Sequence, residues 1–239
     1  MGFFEVYTKK QKFNPDLIGL FINPFFFARR GLFKGMSKYS KDLSGDILDV
    51  GCGNKPYKEL FRYEKYIGMD IENSGHDHKN EDIDVFYDGT IFPFDDRVFD
   101  GVLANQVLEH VFNPDEFLQQ INRVLKVKGH LLLTVPFIWD EHEQPYDYGR
   151  YSSLGLRFLL EKNGFKIISH SKSVNDLRVV FQLLILYIYK IIRTKNKFIN
   201  LILTIIFIGP INILGSVISF MFPRNNDLFL DNIIFAEKR

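Results

Sequence analysis

Between residues 45 and 176, short apolar runs alternate with helix-type patterns, and this alternation admits few architectures. The runs Ile47–Val50, Lys65–Asp70, Ile83–Tyr87, Phe99–Ala104, His130–Val135 and Phe165–Ser169 read as strands. Several are apolar almost without interruption, which suits strands covered on both faces. One helix between them is signed at both ends. Asn113 is the expected N-cap, Pro114 fits the first helical position, Glu116 completes a capping box and Gly129 ends the run. Its apolar face is Phe117, Leu118, Ile121, Val124 and Leu125. A second helix is expected from Ser152 or Ser153 to Asn163-Gly164. Such units predict an α/β fold, Rossmann-like and doubly wound, with ligands at the carboxyl ends of a mostly parallel sheet.

The flanks differ from this middle zone. Residues 1–44 form an N-terminal extension rich in Phe among basic residues, for example Phe25, Phe26 and Phe27 before Arg29 and Arg30. Residues 177–223 are strongly apolar, and a last strand is expected at about 228–237. The expected organisation is an extension (1–44), a domain made of 45–176 with 224–239, and an apolar helical insertion (177–223). A chain of 239 residues suits one domain with additions. The net charge of +1 speaks against a nucleic-acid binder. The single cysteine, Cys52, allows no internal disulfide and fits a reducing compartment. The opening MGFFEVYTKKQK does not read as a signal peptide, and Val6 stands where a myristoylation site needs Ser or Thr.

The chemistry starts at DILDVGCGN, residues 46–54. A strand ends near Val50, and Gly51 and Gly53 let the backbone turn and approach a ligand closely. A following helix is expected to offer free N–H groups and a positive dipole end. The third glycine of a dinucleotide fingerprint is replaced by Pro56, and no Tyr-x-x-x-Lys pair is visible, so an NAD-dependent oxidoreductase is disfavoured. Two glycines alone also fit a plain strand-to-helix turn. Asp70 ends the second strand, where an acid can take both hydroxyls of a ribose.

The ordered series Asp49-Val50-Gly51-Cys52-Gly53, Gly68-Met69-Asp70, Asp88-Gly89, Phe94–Asp100, Leu108-Glu109-His110 and Leu125–His130 resembles the class I S-adenosylmethionine-dependent methyltransferases, near the branch called methyltransferase type 11. The resemblance covers about residues 45–171. It implies a seven-stranded sheet with an antiparallel last strand, and S-adenosylmethionine as cofactor. Asp49 with the backbone at Gly51 and Gly53 would hold the methionine part, and Asp70, with Ile71 beside it, the ribose. Asp88 would face the adenine amino group next to Gly89, and Asn105 and Gln106 would flank the sulfonium and the acceptor. Asp88 also fits a turn acid, and Asn105 and Gln106 a polar strand end. Cys52 is expected to fill a small buried position within the cofactor-binding turn rather than act as a nucleophile.

An oxygen or nitrogen acceptor also needs a group to take its proton. Residues 136–152, PFIWDEHEQPYDYGRYS, place candidates where the acceptor must sit, and resemble a run in methyltransferases of bacterial cell-surface and lipid-linked glycan enzymes. His142 is the first candidate base and His110 the second. Structural loop histidines are the plainer alternatives. Metal ligation by His76-Asp77-His78 with Asp82 and Asp84, or by Glu141-His142-Glu143, is disfavoured, and no metal is expected.

The apolar insertion contains Val179–Ile192 and a run from Phe198 to Phe222 without a charged residue. The second run is long enough to cross a bilayer. Its flanking strands belong to one sheet in the resembled family, so a single crossing is excluded. Gly209-Pro210 is expected to split the run into two short helices. With Arg178, Lys190, Arg193, Lys195 and Arg224 around them, such helices suit an interface-lying, monotopic platform on the cytoplasmic membrane face. A lid or a dimer interface is the plainer alternative. The expected function is methyl transfer to a small-molecule or lipid-linked acceptor, a glycan or quinone type, on oxygen. A membrane-attached module that keeps the fold without turnover is the alternative.

Overall fold

The computed structural model describes residues 10–72 and 81–239. The chain divides into two compact units. One comprises Gly35–Ser171 with Asp231–Arg239, and the other comprises the chain up to Lys34 with Lys172–Leu230.

The first unit is a seven-stranded sheet of order β3-β2-β1-β4-β5-β7-β6. The strands are β1 (Ser44–Val50), β2 (Arg62–Ile71), β3 (Val85–Tyr87), β4 (Phe99–Asn105), β5 (Leu125–Pro136), β6 (Phe165–Lys172) and β7 (Asp231–Lys238). β1, β2, β3, β4 and β5 are parallel in register, Asp49 lying opposite Gly68 on one side and Leu103 on the other. β7 runs antiparallel to β5, pairing Leu132 with Phe235. The core lies on these strands: Leu48, Val50, Val102, Leu131 and Leu133 are fully buried and pack with Leu118 and Ile121 of helix α2 (Pro114–Val124). Helix α1 (Phe26–Tyr39) ends in this unit, where the Tyr39 ring stacks on Phe235 and its hydroxyl bonds Ser169 and Ser171. Because the chain leaves β1 toward β2 on one side and later lays β4 on the other, the sheet has its switch point between β1 and β4.

Three local expectations are corrected. No α-helix follows β1; the turn passes through Lys55 at φ 47° into a single 3-10 turn, Lys58–Leu60. The left-handed Lys55 and the Pro56 ring are poor starts for a longer helix. α2 ends at Val124, and Leu125 already begins β5, because its extended backbone continues the ladder to Phe99. The Asn113 side chain makes no cap bond to the backbone; its Nδ2 donates to Glu116 Oε2 at 3.2 Å. Helix α3 (Ser153–Lys162) follows its signals, with Ser152 Oγ accepting from the Gly155 N–H and Gly164 at φ 83° after its end.

The second unit holds helix α4 (Arg178–Ile192) and a continuous helical run, Lys197–Met221. That run is α5 (Lys197–Leu203), a π-turn (Thr204–Ile208), α6 (Gly209–Ile218) and a final 3-10 turn. Gly209-Pro210 therefore does not split the run. Widening the helix to a π-turn just before Pro210 accommodates a residue that has no N–H to donate. Phe26, Phe27, Ile185 and Ile208 form this unit's core. Buried amides stitch it: Gln182 Nε2 donates to the Pro24 carbonyl, and Asn212 Nδ2 donates to those of Leu20 and Asn23.

Candidate active site

The carboxyl ends of β1, β2 and β3 carry a glycine turn and three carboxylates. Gly51 has φ 65° and Gly53 φ 45°, and the N–H groups of Gly51 and Cys52 both donate to the Met69 carbonyl. A Cβ on Gly51 would lie 2.4 Å from Val107 Cγ2, so only glycine fits there. Asp70 closes the turn: its Oδ2 accepts from the Gly53 N–H at 3.0 Å and its Oδ1 from the Ile71 N–H at 2.9 Å. Asp49 is buried at 4 % exposure and accepts a 2.7 Å bond from the Tyr66 hydroxyl. Burial lifts its pKa to about 7; the Tyr66 bond opposes this and the Asp70 charge adds to it. Cys52 is buried, and its thiol is pushed far above the ordinary range by burial first and the Asp49 charge next. Asp88 is exposed, and its Oδ1 accepts from the Thr90 N–H, the Thr90 hydroxyl and the Ile91 N–H. Those bonds hold its pKa below the usual carboxylate value. Gly89 follows at φ 88°.

Asn105 and Gln106 stand at the end of β4, joined by a residue that the sequence did not mark. The buried Thr134 hydroxyl on β5 donates to Asn105 Oδ1 at 2.8 Å and accepts from Gln106 N and Nε2. Gln106 itself sits at φ 57°. A second unmarked residue, Lys55, is 7 % exposed, pairs with Asp84 at 2.7 Å and lies 3.4 Å from Asp82. The only signal for either was a polar residue inside an apolar run or beside the glycine turn. His76, Asp77 and His78 lie outside the described residues.

On the acceptor side, the loop after β5 meets the turn after β4. His110 and His142 stand edge to face with ring centroids 4.9 Å apart. His110 Nδ1 is 2.9 Å from the Tyr146 carbonyl, and its Nε2 is 3.5 Å from Glu143 Oε2. Burial lowers the His110 pKa, against the raising effect of Glu143. His142 Nδ1 lies 3.2 Å from the Asp140 carbonyl and 3.4 Å from Asp147 Oδ2. Arg150 clamps that carboxylate through both oxygens and also donates to the carbonyls of Asp140 and Gly149. Its guanidinium holds Asp147 below the usual range despite burial. Glu109 is fully buried, with neither carboxylate oxygen hydrogen-bonded, and burial raises its pKa well above the usual value. The two candidate histidines, 32 residues apart in sequence, are thus brought together, whereas Glu141 is not part of the group of ligand-type atoms.

A family model described as a methyltransferase domain matches residues 27–170, more than half of the chain. An uncharacterized protein of Methanocaldococcus jannaschii is 31% identical over 178 residues, covering 71% of this chain and 76% of the relative. Among solved structures, an S-adenosylmethionine-dependent methyltransferase from Archaeoglobus fulgidus superposes with a TM-score of 0.54 at 18% identity, covering 99% of this chain and 100% of its own. The structure of the [4+2]-cyclase SpnF superposes with a TM-score of 0.54 at 20% identity, covering 88% and 82%. At such identities the structural likeness establishes the fold, and the family match establishes the activity class.

The cleft fits the cofactor of that family. S-adenosylmethionine carries an ammonium, two ribose hydroxyls and an adenine amino group, all donors. Asp49, Asp70 and Asp88 are acceptors at the ends of three adjacent strands, and a bound ammonium would favour the ionised form of Asp49 that burial disfavours. The methyl donor is therefore S-adenosylmethionine, and the chain belongs to the methyltransferase-domain family as an S-adenosylmethionine-dependent enzyme.

Proposed function

We propose that the enzyme methylates an oxygen of a small-molecule or lipid-linked acceptor, of the glycan or quinone-precursor class, at a membrane surface. In this proposal Asp49 and the backbone at Gly51 and Gly53 hold the methionine part of the donor. Asp70 and Ile71 hold the ribose, Asp88 and Gly89 the adenine, and Asn105 and Gln106 border the reacting centre. The donor supplies a methyl group on a sulfonium that is already activated for displacement. The chain's residues then have two tasks, aligning the acceptor and relieving it of a proton. The observation that carries an oxygen acceptor is the His110–His142 pair, at 4.9 Å between ring centroids. A hydroxyl must lose a proton, and two imidazoles beside Glu143 and Asp147 are suited to take it. Asp147, locked by Arg150, orients His142, which is the first candidate for the base.

The membrane part is supported by the second unit. Among the described residues, one helix, Lys197–Met221, is long and apolar enough to cross a membrane, with mean hydropathy 2.4 and 28% of its most apolar window buried. Its 25 residues span roughly 37 Å, against a hydrocarbon core of about 30 Å. Yet the segment leaves from β6 and returns to β7, neighbours in one sheet. The other helix of the pair, α4, has 15 residues, roughly 22 Å, too short to complete a hairpin. An interface-lying helix suits these lengths. Leu17, Phe198, Ile206, Phe220 and Met221 are exposed. Lys34 lies near Arg30, Arg178 and Arg224, a basic group suited to anionic headgroups.

The test is methyl transfer from isotope-labelled S-adenosylmethionine to polyprenyl-linked glycan, quinone precursor and soluble sugar nucleotide, beside flotation with anionic vesicles. Preference for a lipid-borne hydroxyl acceptor and co-flotation are expected. Equal activity on the soluble sugar nucleotide, or failure to float, overturns the membrane part. Methylation only at nitrogen or sulfur overturns the oxygen acceptor.

A further inference from the structure

We infer that Glu109, His110 and His142 bind one divalent first-row transition-metal ion beside the acceptor. The sequence reading weighed two other groups, disfavoured both and expected no metal; tertiary contact assembles this one. One ligand-type atom from each of the three residues lies within 4.8 Å of the other two. Metal bonds to nitrogen and oxygen are about 2.0–2.2 Å, so ligand atoms around one ion stand roughly 3–4.4 Å apart. Small side-chain rotations bring the three into range.

Each ligand is prepared for an ion. A carbonyl accepts only, so the Tyr146 carbonyl at 2.9 Å places the proton of His110 on Nδ1 and leaves Nε2 as a lone pair. That Nε2 points at Glu109 Oε1, 3.9 Å away. His142 Nδ1 lies 3.2 Å from the Asp140 carbonyl and 3.4 Å from Asp147 Oδ2, with the Arg150 Nη2 donor also 3.4 Å off. Carbonyl or carboxylate partners on the far nitrogen are what metal-ligating histidines characteristically have. Glu109 has no exposure and no hydrogen-bond partner on either oxygen. Arg150 gives Nη1 and Nη2 to Asp147 and to the carbonyls of Asp140 and Gly149, and makes no hydrogen bond to Glu109. A buried carboxyl left like this stays neutral unless a counter-charge is supplied, and a bound cation supplies one. Glu143 Oε2, 3.5 Å from His110 Nε2, adds a flanking oxygen.

Two imidazoles and one carboxylate suit iron, zinc, cobalt or nickel, and three protein ligands leave positions open for oxygen. The role of the ion rests on the oxygen-acceptor proposal: an acceptor hydroxyl bound in an open position is made more acidic by the ion. With the ion bound both histidines are ligands, and the acceptor proton passes to Glu143, whose Oε2 stands 3.5 Å from His110 Nε2; without the ion, His142 remains the candidate base.

The test uses tag-free, full-length protein stripped with a chelator and titrated with cobalt(II) chloride. Wild type is expected to bind one equivalent with visible ligand-field absorption. Glu109→Gln and, separately, His142→Gln should weaken binding at least about tenfold, roughly 1.4 kcal/mol. The double variant His76→Asn, His78→Asn should bind as wild type does. The melting shift given by S-adenosylmethionine shows that each variant is folded. No cobalt binding in wild type, binding retained in both triad variants, or binding lost in the His76, His78 variant overturns the site. Cobalt bound at the triad without methyl transfer to any hydroxyl would instead overturn the oxygen-acceptor proposal and leave the site standing.

Discussion

The Tyr66 hydroxyl donates to Asp49 Oδ2 across 2.7 Å, between two buried side chains at the base of the donor cleft. This bond favours the ionised carboxyl, while burial favours the protonated one and prevails, setting the pKa at about 7. Between the ordinary carboxylate value and about 7, the folded protein holds a proton that the unfolded chain has released. Stability therefore falls as pH rises through that window and levels off above it. Asp49→Asn should flatten this part of the curve, whose size is at most roughly 4 kcal/mol by the linkage of one group. Denaturant unfolding from about pH 4 to pH 8 measures it.

Removing the Tyr66 hydroxyl takes away the one donor that lowers the Asp49 pKa. If Asp49 faces the donor's ammonium, affinity for S-adenosylmethionine should rise with pH through about 7 in wild type. In Tyr66→Phe the midpoint should move upward, and stability should fall by about 1–3 kcal/mol. Titration calorimetry across pH reads the midpoint, and an unmoved midpoint refutes the pairing.

Asp70 carries both the turn, through Gly53 N–H, and the proposed ribose contact. A ligand present at about 100 times its Kd stabilises the folded protein by roughly 2.7 kcal/mol. Wild type should show that melting shift and Asp70→Ala should lose it. A shift that survives in Asp70→Ala places the ribose elsewhere.

Gly51→Ala meets two obstacles, the positive φ of 65° and Val107 Cγ2 at 2.4 Å. The left-handed backbone costs about 1–2 kcal/mol and overpacking about 1–3 kcal/mol more. Val107→Ala in the same chain should relieve the second cost only. Urea unfolding of the two single variants and the double variant separates them.

Thr134→Val keeps the shape of a fully buried residue but removes the hydroxyl that joins Asn105 to Gln106. Stability should fall by about 1–3 kcal/mol. If those two residues border the reacting centre, kcat should fall more than KM for the methyl donor rises. Unchanged kcat in a folded variant would remove both residues from the centre.

The sheet was legible because strands covered on both faces must be mostly apolar, as Leu131–Val135 and Ile47–Val50 are apart from Thr134 and Asp49. α3 was legible because Ser152 and Gly164 each have a local task, a side-chain bond to Gly155 N and a left-handed φ. The helix expected after Val50 was not there, since Lys55 at φ 47° and Pro56 redirect the chain, and a left-handed lysine leaves no mark in sequence. Likewise, Gly209-Pro210 looked like a break, but a π-turn of five residues absorbed it.

The sequence by itself determined the strand–helix alternation, the glycine turn, the acids at the ends of β1, β2 and β3, and the apolar insertion. All are local: each depends on residues within one element or its ends. Tertiary structure alone decided that His110 meets His142, that Thr134 ties Asn105 to Gln106, and that Glu109 is buried without a partner. These depend on parallel register between β4 and β5 and on the loop folding back over the turn after β4, so partners 29 and 32 positions apart become neighbours. A residue's identity says what chemistry it can offer; burial and the groups facing it decide which chemistry it performs.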